Sequence, residues 1–467
     1  MLDVIGIGLG PFNLSLATLL ANANSQHQVT AKFFEQRAEF NWHKGMILPH
    51  TTLQVPFLAD LVTLIDPTSP YTFLNYLHKH QRLLKFYFVE DFKIARKEYN
   101  HYCQWVTKQL DNLHFDSQVL KVVPRLAPND GFEVSVRENG QTVTYHTKNI
   151  VVGTGTYPTL PHCLQAIAKQ APHLCMHSAH FSDNFDLDAL LTETSAQSSS
   201  KQLPKTLPKI LILGSGQSSA EVYRELFDSQ LNSDGTAKFQ LDWLTRSAGF
   251  FPMEYSPLGL EHFSPAYTDY FYQLDEPTKQ RLLSEQDLLY KGMGFSTIVD
   301  IYHRLYERSI ANQQTYSQLM SNCALLDASL TQPDTVKQTN EHAHLPQQGI
   351  TLTCQQIQQN KTFTAHYDCV IAGTGYQHRL PACLDTLLDF VDKNDSAQPK
   401  ISRDYQLAYH GNGNIFVQNQ ELYTHGVGAP DLGLGAYRAG VIANQLLGET
   451  YYDTEALTVF QQFGQFS

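Results

Sequence analysis

No two of the seven cysteines (Cys103, Cys163, Cys175, Cys323, Cys354, Cys369 and Cys383) are spaced as CxxC, and their number is odd. That argues against a disulfide framework, a zinc site and the redox cysteine pair of a disulfide reductase. The 20 histidines contain no HExxH motif, so no metal is expected. No apolar run is long enough for a membrane span, and no charged leader precedes the first strand-like segment. A cytoplasmic protein without a membrane span is the expectation. Basic residues are scarce too: 33 Lys and Arg stand against 45 Asp and Glu, a formal net charge of -12, and they form no cluster. Nucleic-acid binding, which needs clustered cations against phosphates, is therefore not expected. At 467 residues the chain exceeds one core and calls for two or three domains.

Glycine is where the informative pattern begins. A short apolar run from Leu2 passes through Gly8, Gly10 and Pro11 to Asn13 and into an apolar-periodic segment. This reads as strand, glycine turn and helix, with the helix N-terminus aimed at a pyrophosphate. Gly8 suits the tight turn and Gly10 the close approach of phosphate, while Asn13 stands where a third glycine is usual. The following strand, residues 29–35, ends in Glu35, placed to bond a ribose hydroxyl. A second unit of the same kind runs from Lys209 through Gly214, Gly216, Gln217, Ser218 and Ser219, with Ser219 at the third-glycine position. Its next strand, 239–245, ends in Arg246 and Ser247 instead of an acid. A cation and a hydroxyl there suit the 2′-phosphate of NADP(H). One acid-ended and one arginine-ended unit point to two nucleotides, FAD and NADPH.

Two further junctions, Gly153-Thr154-Gly155 and Gly373-Thr374-Gly375, each follow a strand-like run and flank the central block. They suggest one domain interrupted by another. The expected fold is α/β, with two dinucleotide-binding, Rossmann-like domains for FAD and NADPH and a small, mainly helical substrate-binding insertion. The FAD domain is expected at 1–190 and again at 366–467. Residues 191–208, rich in Ser, Thr, Gln and Pro, read as a linker. The NADPH domain is expected at 209–249 and 316–365. Between its parts, 250–315 carries aromatic and aliphatic residues at spacings of three and four, and reads as the helical insertion. The helical spacing from 91 to 110 is read as packing alone.

Read together, the motifs become more specific. They are Gly-Leu-Gly-Pro-Phe-Asn13, Trp42-His43-x-Gly-Met, Leu53-Gln54-x-x-Phe-Leu-x-Asp60, Gly214-Ser-Gly216-Gln217-Ser-Ser-Ala-Glu221, Ala372-Gly-Thr-Gly-Tyr376 and Thr424-His-Gly426. In this order the chain resembles, over nearly its whole length, the N-hydroxylating flavin monooxygenases of siderophore pathways, the lysine N6- and ornithine N5-hydroxylase family. The FxGxxxH fingerprint of the general flavin-containing and Baeyer–Villiger monooxygenases fails, because Ala171-Pro172-His173 precedes His177. The resemblance implies FAD contacts at Gly8, Gly10, Pro11, Asn13, Glu35, Gln36, Trp42, His43, Gln54, Pro430, Asp431 and Leu432. It implies NADPH contacts at Gly214, Gly216, Gln217, Ser218, Ser219 and Arg246. It also implies a homo-oligomer and a reaction in which a neutral primary amine attacks a flavin hydroperoxide formed from molecular oxygen. No side-chain base is identified.

The departures concern the substrate. Where the amino-acid hydroxylases carry a lysine for the substrate carboxylate, this chain has Ala59. The other substrate-binding positions align with Leu260, Gly294 and Gly433. A buried carboxylate robbed of its partner costs about 3 kcal/mol or more, which argues for a decarboxylated amine. Histamine is the first expectation, since small and apolar replacements make room for an imidazole. Putrescine or cadaverine comes next, with Asp60 or Glu261 as the acid for a distal ammonium. An L-lysine or L-ornithine N-monooxygenase, and a catalytically silent flavin- and NADPH-binding sensory protein, are the alternatives.

Overall fold

The computed structural model describes residues 1–23, 28–125, 130–197, 207–331 and 349–464. Its first sheet runs in the order Leu113–His114, Ala31–Phe34, Leu2–Ile7, Gln141–Val152, Phe132–Glu138, Ser117–Pro124. Asn414–Val417 adds to Gln141–Val152 in parallel. The second sheet is parallel throughout, in the order Cys175–His177, Cys369–Ala372, Lys209–Leu213, Gln240–Leu244, Ser317–Met320. Its central strands, Lys-Ile-Leu-Ile-Leu and Cys-Val-Ile-Ala, are buried almost without a break, as strands covered on both faces must be. A three-stranded antiparallel sheet, Cys323–Thr331, Gly349–Gln356 and Lys361–Tyr367, flanks the second. Between Gln240–Leu244 and Ser317–Met320 come the helices of the insertion, from Pro257–Leu260 to Phe295–Arg308. Three of them start where the sequence signals it. Ser256, Ser264 and Asp275 accept backbone N–H bonds from Gly259, Tyr267 and Thr278, with proline in the first turn.

Some boundaries differ from the expectation. Cys175–His177 and Cys369–Ala372 pair with the second sheet, not the first. The chain therefore passes between lobes at the ribbon formed by Tyr157–Pro158 and Tyr376–Gln377, well before 190 on the way out and after 366 on the way back. The Gly-Thr-Gly sequence at 373–375 mimics the one at 153–155, yet it serves the second nucleotide unit. Of the 191–208 segment, the first residues continue the helix Leu187–Gln197, and 198–206 lie outside the described residues.

Both Gly-Thr-Gly junctions answer the same packing problem. Gly8 takes a φ of 80° at the first turn and Gly214 a φ of 116° at the second, conformations that glycine adopts without strain. Asn13, fully buried, donates from Nδ2 to the Gly8 carbonyl at 2.7 Å and accepts from Gln418 Nε2 at 2.7 Å. A Cβ on Gly153 would stand 2.4 Å from Asn13 Cγ. The glycine missing from the helix is thus supplied by the neighbouring strand. Ser219 and Gly373 repeat the arrangement, with a Gly373 Cβ 2.1 Å from Ser219 Oγ.

This exchange is testable by reciprocal substitution. Gly153→Ala should cost about 1–3 kcal/mol and lower FAD retention, because the Asn13 amide is bonded on both sides. Adding Asn13→Gly should restore part of both losses. Chemical denaturation and the flavin-to-protein absorbance ratio read them out; a Gly153→Ala protein with unchanged stability would remove the argument. Gly373→Ala should be milder, since the Ser219 hydroxyl can turn aside.

Candidate functional site

The first nucleotide site is built at the C-terminal ends of the first sheet. Pro11 opens the helix Pro11–Ala23, whose first turn has no acidic residue to oppose a phosphate. A Cβ at Gly10 would meet only the Gly153 carbonyl, at 3.8 Å, so this side of the turn is open. Glu35 is fixed at its strand end by the amides of Leu9 at 2.9 Å and Arg37 at 3.0 Å. Gln36 lines a polar cleft of about 380 Å³ together with Arg37, Gln118 and Arg137. Three buried side-chain oxygens beside this edge, Thr154 Oγ1, Gln418 Oε1 and Asn419 Oδ1, have no partner among the described residues. An open glycine cradle, a fixed acid and orphaned polar atoms fit a bound dinucleotide such as FAD.

Aromatic rings cluster around Trp42 and His43. Trp42 packs edge-on to His43 and Tyr99, with centroids 4.8 and 5.4 Å away, and its backbone N–H is held by Asn100 Oδ1 at 2.9 Å. His43 lies at the surface with a left-handed φ of 50° and faces Tyr376 at 5.7 Å. Beyond Tyr376, His177 donates from Nε2 to the Gly375 carbonyl and accepts the Ala179 N–H at Nδ1, both at 3.0 Å. Burial pushes its pKa down to about 4, so this imidazole is neutral. Gln54 Nε2 approaches Met253 Sδ at 3.8 Å, which brings the insertion against the first lobe. Pro430, Asp431 and Leu432 form a half-buried loop before the helix Gly435–Leu447.

The second unit presents the start of the helix Gln217–Ser229. Its N-cap, Gly216, gives no side-chain cap, and a Cβ there would meet nothing within 4 Å. The first-turn N–H groups are thus available to a pyrophosphate. Ser215 and Ser247 hydroxyls join at 3.0 Å, and Arg246 is exposed beside them. These residues fit NADPH. Two side chains expected at this site are used elsewhere. Ser219 packs on Gly373, and the Gln217 amide is fully engaged. Its Nε2 donates to Glu221 Oε1 at 2.9 Å and Thr297 Oγ1 at 3.1 Å, while its Oε1 accepts from Gly294 N at 2.8 Å. Any nucleotide contact of Gln217 then falls to its main chain.

The same Glu221 carries a connection that the sequence analysis missed. Arg96, at the start of the helix Arg96–Thr107, makes a two-pronged ion pair with it at 2.8 and 2.9 Å, and also bonds the Met46 carbonyl at 2.7 Å. The pair is buried and ties the first lobe to the NADPH helix and, through Gln217, to the insertion at Gly294. Arg96 sits in the stretch read as packing alone, and no local motif marks it.

Contacts tie the segments that carry Ala59 and Gly294 to residues 253–255, and Leu260 follows those residues in sequence. Ala59 is buried in a turn closed by its N–H to the Pro56 carbonyl at 2.9 Å. Pro56 lies opposite Lys93, whose ammonium covers the Tyr255 ring at 4.7 Å. Burial, helped by the negative charge of Asp431, pushes the Tyr255 hydroxyl up to about 12. Leu260, half-buried, ends the short helix after Tyr255, and Gly294 follows Met293, whose carbonyl accepts the Met253 N–H at 2.9 Å. Gly433 lies two residues past Asp431. The two glycines differ in the space they leave. A Cβ at Gly294 would make ordinary contacts, 3.4 Å from Thr297 Oγ1 and 3.6 Å from Gln217 Oε1, whereas a Gly433 Cβ would stand 2.6 Å from Asp431 Oδ1. The expected acids are also committed. Asp60 accepts from the N–H groups of Val62, Thr63 and Phe73 and from the Thr63 hydroxyl. Glu261 holds the amides of Phe460 and Gln461. A further cavity of about 280 Å³, lined by Tyr157, Met176, His177, Gln377 and Arg379, contains none of the expected site residues.

Comparison with known proteins agrees with this geometry. A family model described as L-lysine 6-monooxygenase/L-ornithine 5-monooxygenase matches residues 1–378. The rhizobactin siderophore biosynthesis protein of Rhizobium meliloti is 41% identical over 99% of this chain and 95% of that protein. A putrescine N-hydroxylase of Shewanella oneidensis is 38% identical over 99% of this chain and 84% of its own length. The crystal structure of the FAD-bound cadaverine monooxygenase of the desferrioxamine pathway from Erwinia amylovora superposes with a TM-score of 0.85. It is 32% identical, with 100% of this chain and 99% of that one covered.

Removing one partner of a buried ion pair strands the other. Glu221→Ala is therefore expected to lower the unfolding free energy by about 3–5 kcal/mol and to raise KM for NADPH, with Glu221→Gln intermediate in both. Denaturation curves and NADPH oxidation rates check this; full stability in Glu221→Ala would show that the pair does not tie the lobes.

Proposed function

The chain belongs to the L-lysine 6-monooxygenase/L-ornithine 5-monooxygenase family, and we propose that the amine it hydroxylates is an aliphatic diamine of the putrescine and cadaverine type. The coarser activity is established: it is an FAD- and NADPH-dependent enzyme that N-hydroxylates a primary amine for siderophore biosynthesis, and not a silent sensory relative. The observation that carries the finer reading is Ala59, an apolar residue in the turn where the amino-acid enzymes place a cation. A substrate with no carboxylate needs no such cation. Relatives that hydroxylate putrescine and cadaverine support the same class. Histamine, the first expectation, is the amine of neither of these relatives, and Asp431 stands in the space that Gly433 was expected to open.

Bound FAD, once reduced by NADPH, supplies the activated oxygen. The protein's part is to present the amine neutral, although an alkyl ammonium has a pKa of about 10.4 in water. Apolar lining by Ala59 and Leu260 supports this, since desolvation disfavours the charged form. A second reading, L-lysine or L-ornithine, is favoured by one feature. Lys93, opposite Pro56, offers a cation near the turn that lacks one. We also infer a homo-oligomer, supported by the exposed apolar side chains of Leu84, Tyr87, Phe88, Val89 and Phe92; a monomer by light scattering would remove this inference. The seven free cysteines and the NADPH requirement support a cytoplasmic location, and the net charge of -12 supports small molecules over nucleic acid as partners.

The test is hydroxylamine formation across putrescine, cadaverine, ornithine, lysine and histamine, with wild type and Ala59→Lys. Diamine turnover by the wild type, reduced at least about tenfold by the added cation, is expected. Turnover of lysine or ornithine above either diamine would replace the diamine reading with the second one and assign the carboxylate to Lys93.

A further inference from the structure

The cavity of about 280 Å³ at the joint of the two lobes belongs to neither nucleotide unit. Part of its wall is the ribbon itself, Tyr157–Pro158 against Tyr376–Gln377, through which the chain crosses from lobe to lobe. The rest comes from elements around the edge strand of the second sheet. These are the helix His162–Gln170, the strand Cys175–His177 and the short helix Phe181–Asn184.

The lining is divided in character. Leu160, Ala168 and Met176 offer apolar surface, and His177 spends both ring nitrogens on the main chain, at Gly375 and Ala179. His180, Asn184, Gln377 and Arg379 are exposed at the cavity, and their side chains form no hydrogen bond or ion pair among the described residues. Arg379 is nevertheless held in place. Its guanidinium lies over the Tyr157 ring, 4.2 Å from the centroid, an arrangement that leaves its N–H edges free. No aspartate or glutamate lines the cavity, although the chain has 45 acids against 33 Lys and Arg. A solvated crevice where two lobes meet would account for the space. It gives no reason for a held cation and three further polar side chains with no acid among them.

This combination selects a class of ligand. A guanidinium edge recognises a carboxylate or a phosphate through paired N–H bonds. The apolar lining favours a carboxylate on a small apolar body, since inorganic phosphate would leave that surface in water. The volume falls just below the roughly 300 Å³ at which drug-sized sites begin, so the body is small. Its occupancy would be felt at the joint. The Thr159 N–H reaches the Gly375 carbonyl at 3.0 Å, and the Thr374 hydroxyl reaches the Thr159 carbonyl at 2.5 Å. On the same ribbon, Tyr376 faces His43 at 5.7 Å and His177 at 5.2 Å. We propose that this cavity is an effector site for a small organic carboxylate held by Arg379, and that its occupancy fixes the joint between the FAD and NADPH lobes.

The experiment uses the FAD-loaded enzyme saturated with NADP+, so that the nucleotide cleft is filled, and benzoate as the probe. Benzamide and inorganic phosphate are the comparisons. Benzoate is expected to raise the melting temperature saturably, with a dissociation constant of roughly millimolar size for so small a ligand, and neither comparison should match it. Arg379→Met should weaken benzoate by about 10- to 100-fold, as loss of a charge-assisted hydrogen bond gives, with amine hydroxylation unchanged. Saturating benzoate should also shift KM for NADPH by about fivefold or more in the wild type and not in Arg379→Met. Should Arg379→Met melt lower by itself, Asn184→Asp decides, because an acid at the cavity should weaken benzoate comparably. Absence of protection, equal protection by benzamide or phosphate, or protection unchanged in both variants overturns the site. Binding with no shift in KM keeps the site and overturns its coupling to the joint.

Discussion

A helix must come close enough to a parallel sheet for its first N–H groups to reach a pyrophosphate, and everything else in this molecule is arranged around that approach. Such an approach normally needs a glycine at the third position of the helix fingerprint. Here both units place a polar side chain there and remove the Cβ from the adjacent strand end instead, at Gly153 and Gly373. The exchange has a consequence beyond packing. Asn13 now bonds the Gly8 carbonyl and Gln418, linking the first turn to the strand that returns from the far end of the chain. The first nucleotide site is thereby tied to both ends of the domain that is interrupted.

The second unit transmits its position differently. Ser219 faces the sheet, leaving Gln217 and Glu221, on the other side of the helix, to face the first lobe and the insertion. Arg96 closes that contact from the first lobe. A desolvated ion pair adds little net stability against an apolar substitute, but it is intolerant of misplacement. That intolerance suits a junction on which two nucleotides and the substrate segment depend. Gly294 lies at its end, so the insertion and the NADPH helix share one hydrogen-bonded register.

Much of this was legible beforehand, and the limits have physical causes. Strand, glycine turn and helix are local, so both units stood out, as did the helical insertion through its spacings of three and four. The lobe boundaries did not, because a buried strand such as Cys369–Ala372 reads the same in either sheet. Asn13 and Ser219 looked like weakened fingerprints until their partner glycines, far away in sequence, came into view. Arg96 gave no signal, since an arginine in the first turn of a helix ordinarily faces water. The expected roles of Asp60 and Glu261 failed for a related reason. An acid can be recognised in sequence, whereas the amides that consume its oxygens cannot.

Ala59 illustrates the converse. In sequence it is a missing charge, and only its neighbours show how little the fold depends on that charge. Its turn is closed by the main chain, from its own N–H to the Pro56 carbonyl, so no side-chain cation is needed to hold the segment in place. The segment is tied instead through the pairing of Thr52–Pro56 with Lys93–Ala95, and Lys93 carries that contact on to the Tyr255 ring. None of these bonds involves the glycine turns at Gly8 and Gly214. Charge in this segment can thus be exchanged while the cofactor-binding turns are left alone.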